Sequence, residues 1–143
     1  MKKFKFELQR ILTLKEKKEE MLRQELSRLQ FKRQQHEHVK YHYEKNLQKE
    51  YEIMREKKSF VGEEREQLEN FCVSIRNTIY NQEIMMKEYD IKIDKKRKEI
   101  IENKKEINTM EKLKERKLEQ YNYDLMLDER KNMDEIANRL FYV

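Results

Sequence analysis

The chain has 143 residues, 44% of them charged and 36% hydrophobic, with one Gly, no Pro and a formal net charge of +5. So much charge with so few chain breakers excludes a layered domain built on a large core, and points to helical rods that bury an apolar stripe against one another. The single cysteine, Cys72, excludes an internal disulfide framework and fits a reducing cytosol.

The start Met1-Lys2-Lys3-Phe4-Lys5-Phe6-Glu7 is charged and lacks the apolar block of a signal peptide, and no run approaches the roughly 18 apolar residues of a membrane span. A soluble, unprocessed chain is expected. From Phe4 onward a helical stripe runs through Leu8, Ile11, Leu12, Leu22, Leu26, Leu29, His36, Val39, Tyr43, Leu47 and Met54 at spacings of three and four. Lys15, Glu19, Arg33 and Glu50 fall on the same face, so the seam is expected to be marginal and easily bent. The predicted helix spans about 4–57.

Lys57-Lys58-Ser59-Phe60-Val61-Gly62 follows and holds the only Gly, the residue that most readily takes the left-handed conformation ending a helix. A reversal at about 58–62 is therefore predicted, and a short connection makes its two helices antiparallel. Beyond it, Cys72, Ile79, Met86, Ile93, Ile100 and Ile107 recur every seven residues. Leu68, Phe71, Ile75, Tyr89 and Met110 supply the second line of the seam, and Gln82, Lys96 and Asn103 interrupt it. The same face is read as continuing through Leu113, Tyr121, Leu125, Ile136 and Leu140, which gives a second helix over about 63–140. The fold class expected is all-α: one antiparallel coiled-coil hairpin over residues 1–143, the C-terminal helix longer and with a protruding end.

Pairing symmetrically about the turn sets Phe4 beside roughly Lys117, and leaves the helix from Leu118 onward without a mate. That overhang carries Leu118, Tyr121, Leu125, Met126, Met133, Ile136, Leu140 and Phe141, and exposure of such a stripe marks an interaction surface. The alternatives are a frayed end or a short third helix folded back on the N-terminal end.

Catalytic patterns are missing from the sequence. A Gly-rich phosphate loop is impossible with one Gly, and Lys58-Ser59 lacks the glycines it requires. His38 and His42 share a helix face at i,i+4 and offer two zinc donors, whereas His36 falls on the seam; a structural zinc site needs four ligands, so no metal site is assigned. Cys72 lies on the heptad line, where a buried thiol is ordinary. The basic run Lys95-Lys96-Arg97-Lys98 is interleaved with Asp94, Glu99 and Glu102, the pattern of a solvated coiled-coil face and not of a nucleic-acid site. Neither a catalytic residue nor a cofactor is expected.

Both ends of the chain resemble the FliJ family of small coiled-coil proteins in bacterial flagellar export, itself similar to the stalk proteins of virulence type III secretion systems. The opening Phe4-Lys5-Phe6-Glu7-Leu8-Gln9-Arg10-Ile11-Leu12 is similar to the family's start. Asp128-Glu129-Arg130-Lys131-Asn132-Met133-Asp134-Glu135-Ile136-Ala137 is similar to its C-terminal signature, a basic pair before Met-Asp-Glu. The resemblance implies a non-enzymatic, stalk-like part of the type III export apparatus at the cytoplasmic face of the membrane, peripheral to it through partners only. Its implied partners are the hexameric export ATPase, the cytoplasmic domain of the export gate protein and export chaperones. Leu125, Arg130, Lys131, Met133, Asp134, Glu135 and Ile136 become the candidates for docking on the ATPase. Tyr51, Phe71 and Ile75, nearer the turn, become the candidates for gate contact, although each equally suits the seam and for Phe71 and Ile75 core packing comes first. The competing reading is a generic coiled-coil tether without an export role; a membrane-surface or nucleic-acid clamp ranks third.

Overall fold

The computed structural model describes residues 2–57 and 62–141. Among these residues the chain is all-α, with α1 at Gln9–Glu56, the longer α2 at Gly62–Phe141, and no strand. The stretch 58–61, where the sequence places the turn, lies outside the described residues. Gly62 corrects the sequence reading in one respect: it is the first residue of α2 and its φ is not positive. A residue without a side chain suits a helix N-terminus, where the backbone N–H groups need water, and Glu63 and Glu64 in the first turn complement the positive end of the helix dipole.

Two compact units form, each pairing a segment of α1 with a segment of α2 in antiparallel order, the contacts of a helical hairpin. One unit is Leu22–Glu99. Its buried apolar residues are Leu22, Cys72, Ile75 and Ile93. Between and beyond them the half-buried positions alternate at three and four: Ile79, Gln82, Met86, Tyr89 and Lys96 on α2, and Leu26, Leu29, Arg33, His36, Lys40, Tyr43, Leu47, Glu50 and Met54 on α1. Val39 and Phe71, both read from the sequence as seam residues, are exposed. Lys40, half-buried, takes the seam position beside Val39, and its ammonium reaches Glu83 of the partner helix at 3.3 Å.

The polar seam residues of this unit answer one another across the two helices. Lys96 meets Glu25 at 2.7 Å, Arg33 meets Asp90, and His36 Nδ1 donates to Gln82 Oε1 at 2.6 Å while its ring stacks on Tyr89, centroids 5.5 Å apart. Arg33, His36, Lys40, Gln82 and Lys96, which break the apolar line, thus find cross-helix partners, and a shift of one heptad would separate these pairs. Polar seam positions of this kind fix register at some cost in stability.

The other unit joins the chain up to Met21 with the chain from Ile100 onward. Phe6, Leu12 and Ile107 form its buried cluster, with Phe4, Leu8 and Met110 packed against them. Lys15 pairs with Glu106, Asn103 Nδ2 donates to the carbonyl of Lys15 at 2.9 Å, and Lys114 Nζ donates to Gln9 Oε1 at 2.7 Å. Burying a Leu or Phe side chain contributes about 1.5–3 kcal/mol, so this cluster outweighs the exposed ion pairs around it.

The first helix begins at Gln9, not at Phe4. Residues 2–6 are not helical; Glu7 and Leu8 make a turn, and the Gln9 amide bonds the Phe6 carbonyl at 3.0 Å. Lysines at positions 2, 3 and 5 would sit badly at the positive end of a helix dipole. A non-helical segment is also not held to the rise of about 1.5 Å per residue of a helix. Phe4 therefore lies beside Tyr121, ring centroids 5.7 Å apart, and not beside Lys117, and the Tyr121 hydroxyl donates to the carbonyl of Lys2.

Candidate docking site at the end of the second helix

Seen by itself, the unit that holds the end of α2 has a covered part and an uncovered part. Cover is supplied by the N-terminal segment and the start of α1, and its last ring contact on α2 is Phe4 on Tyr121. Leu125 and Asp128 are half-buried, and every residue over 129–141 is exposed. The overhang expected from Leu118 onward thus begins later, because the non-helical N-terminal residues lie against α2 as far as Tyr121.

The apolar side chains of this end do not prolong the seam. Stepping by sevens from Ile107, the seam line passes through Lys114, Tyr121, Asp128 and Glu135, while the apolar line of the tail passes through Met126, Met133 and Leu140, with Ile136 between them. At about 100° per residue the two lines lie on different sides of the helix. The reading of one continuous face through Leu140 is corrected accordingly: Met126, Met133 and Leu140 turn away from the side α1 uses, while Ile136, eleven residues after Leu125, stays on the Leu125 side. Met133 is 72% exposed, Ile136 58% and Leu140 79%. Arg130, Lys131, Asp134 and Glu135 are exposed as well: Lys131 and Glu135 carry the opposite side of the same turns, while Arg130 and Asp134 border the apolar line, so the end of α2 is an amphipathic helix with nothing packed on its apolar face among the described residues.

The residues proposed for gate contact are separated by burial. Ile75 is 4% exposed and belongs to the seam, Phe71 is 51% exposed, and Tyr51 on α1 is half-buried. Cys72, next to Phe71, is buried, and burial raises its thiol pKa above the usual cysteine range. His38 and His42 are exposed, and the Asn46 amide donates to His42 Nε2 at 3.4 Å. No described helix is long and apolar enough to cross a membrane.

The family described as flagellar FliJ protein matches residues 4–143, nearly the whole chain. This chain belongs to the flagellar FliJ family. Comparison with curated proteins and with solved structures finds no match. Membership makes this FliJ-family chain a structural component of flagellar export, and the helical pairing described above is the framework on which it presents its surfaces. Sequence reasoning missed two features of this FliJ-family chain. One is the N-terminal cover, for which the alternation Phe4-Lys5-Phe6 was the available signal; the other is the rotation of the apolar line, visible as the seven-residue spacing of Met126, Met133 and Leu140.

Proposed function

We propose that this FliJ-family chain is a non-enzymatic coupling part of the flagellar type III export apparatus. In this reading the end of α2 docks on the hexameric export ATPase, the region of Tyr51 and Phe71 touches the cytoplasmic domain of the export gate protein, and the chain cycles export chaperones. It works at the cytoplasmic face of the membrane and is held there through its partners. The observation that carries the reading is the uncovered amphipathic end of α2, whose Met133, Ile136 and Leu140 have solvent where a core helix has neighbours. An apolar helix face with charged borders docks in a groove by its i, i+3 and i+7 anchors, and Met133, Ile136 and Leu140 have that spacing. Coupling requires only that each partner bind one state of the shared helix better than another.

The test is binding of the purified export ATPase to the full chain and to a chain ending after Asp128, with helicity followed by circular dichroism. That cut spares Tyr121 and its contact with Phe4. Loss of binding with the helical signal per residue unchanged supports the docking site; full affinity in the shortened chain removes it. A generic tether without an export role would bind neither ATPase nor gate.

A further inference from the structure

A second apolar line runs along α2 on the side away from α1. Taking the seam as Cys72, Ile75, Ile79, Gln82, Met86, Tyr89 and Ile93, the residues Val73, Tyr80, Ile84 and Ile91 fall on the opposite face. They are 47%, 62%, 39% and 70% exposed, at positions that a two-helix pairing normally gives to charge. Their successive spacings are seven, four and seven, so they make a seam of their own.

This line reads the same in both directions. From Gln82, Tyr80 and Ile84 lie two residues away on either side, and Val73 and Ile91 lie nine away. The borders follow the same rule with charge reversed. Glu66 and Lys98 stand on the face itself, sixteen residues to either side of Gln82, and one edge of it carries Glu69, Arg76, Asp90 and Arg97 in order.

We propose that two copies of this chain associate through this face, α2 against α2, antiparallel about a two-fold axis level with Gln82. A two-fold contact has to be self-complementary, because each patch meets itself reversed. Here reversal sets Val73 against Ile91 of the other copy and Tyr80 against Ile84. It also sets Glu66 against Lys98, Glu69 against Arg97 and Arg76 against Asp90, each pairing occurring twice. Glu83 meets its own counterpart near the axis, but each is engaged by Lys40 of its own chain at 3.3 Å. The exposed pairs Arg65–Glu69 and Arg97–Asp94 are weak and leave Glu69 and Arg97 able to exchange partners, whereas Asp90 already meets Arg33 of its own chain, so the Arg76 pairing adds less than the Glu69 one. Asn77 and Lys87 also lie on this face, so the apolar layers are few and the affinity falls in the micromolar range, with a marked salt dependence. No residue beyond Lys98 takes part, so the association is independent of the docking site proposed for the end of α2.

The experiment is sedimentation equilibrium of the full chain over roughly a hundredfold range of concentration, at low and high salt. The expected result is a monomer–dimer equilibrium that weakens in high salt. Ile91→Glu is expected to raise the dimer Kd at least about tenfold with unchanged helicity, because the side chain is exposed in the monomer. Glu69→Lys and Arg97→Glu are each expected to weaken the dimer, and the double exchange to restore it. Asn81→Cys lies on the other edge beside the axis and is expected to cross-link symmetrically, whereas Lys95→Cys is not. A chain that stays monomeric throughout overturns the proposal. So does a dimer that Ile91→Glu leaves intact, or one abolished instead by Ile136→Asp, which would assign association to the end of α2.

Discussion

Asn103 of α2, 3% exposed, donates from Nδ2 to the backbone carbonyl of Lys15 on α1, while its Oδ1 has no partner among the described residues. A buried amide half satisfied in this way specifies register more than it stabilises. Asn103→Leu is therefore expected to raise the thermal midpoint by the equivalent of about 1 kcal/mol, since it removes the stranded oxygen and adds apolar contact. Melting followed by circular dichroism decides the sign, and a lower midpoint would mean that the bond to Lys15 outweighs the stranded oxygen.

The Phe6, Leu12 and Ile107 cluster should govern the stability of its unit. Leu12→Ala is expected to cost about 2–4 kcal/mol in urea unfolding, because the cavity cannot collapse between two long helices. Ile11→Ala, one position away on an exposed side chain, should stay within about 0.5 kcal/mol. Equal effects at the two positions would contradict the register of α1 described here.

Phe71→Ala and Ile75→Ala should separate in the same manner. The seam residue Ile75 is expected to cost about 2–4 kcal/mol of stability, whereas truncating the exposed Phe71 should leave the melting midpoint nearly unchanged and lower affinity for the export gate's cytoplasmic domain. Gate binding unaffected by Phe71→Ala would remove that residue from the proposed contact.

Two cross-helix ion pairs set the pH dependence. Lys96 beside Glu25, and Lys15 beside Glu106, hold those carboxyls below the usual glutamate range, and Glu25 with Glu99 holds the Lys96 ammonium above the usual lysine range. A depressed carboxyl contributes stability above its unfolded value and loses it as pH falls through the folded value; a raised ammonium loses its contribution as pH climbs through its folded value. The melting midpoint should therefore be flat near neutrality, fall in acid below the ordinary glutamate range, and fall again in strong base. Lys96→Met should bring the Glu25 titration, followed by NMR, back toward the ordinary value, and added salt should shrink the shift.

Cys72 gives a readout of seam opening. Buried, with its thiol pKa raised by desolvation, it should react with a thiol reagent on the order of a hundredfold more slowly in buffer than in urea. Equal rates would place the thiol outside the seam.

The helical class, the antiparallel order and the line from Cys72 to Ile107 were legible in the sequence, because a seven-residue spacing has few other physical solutions. Gln82, Lys96 and Asn103 read as interruptions, since one helix alone does not reveal that His36, Glu25 and Lys15 stand opposite them. Val39 was read in place of Lys40 because apolarity was taken as the sign of burial, and a lysine can bury its stem. At the candidate site the apolar residues were legible, but their side of the helix was not. Tyr121 and Leu125 bridge the two lines and make them look like one. The N-terminal segment escaped notice because Leu8 and Leu12 suit a helix that Phe4 and Phe6 then appear to extend.

The non-helical reach of residues 2–6 acts as a vernier. Phe4 and the Lys2 carbonyl both end on Tyr121, so a change in the length of this segment shifts where the cover stops on α2 while α1 keeps its register. How much of the far end stands bare is therefore adjusted from the chain's opening residues, with no change to the bare end itself.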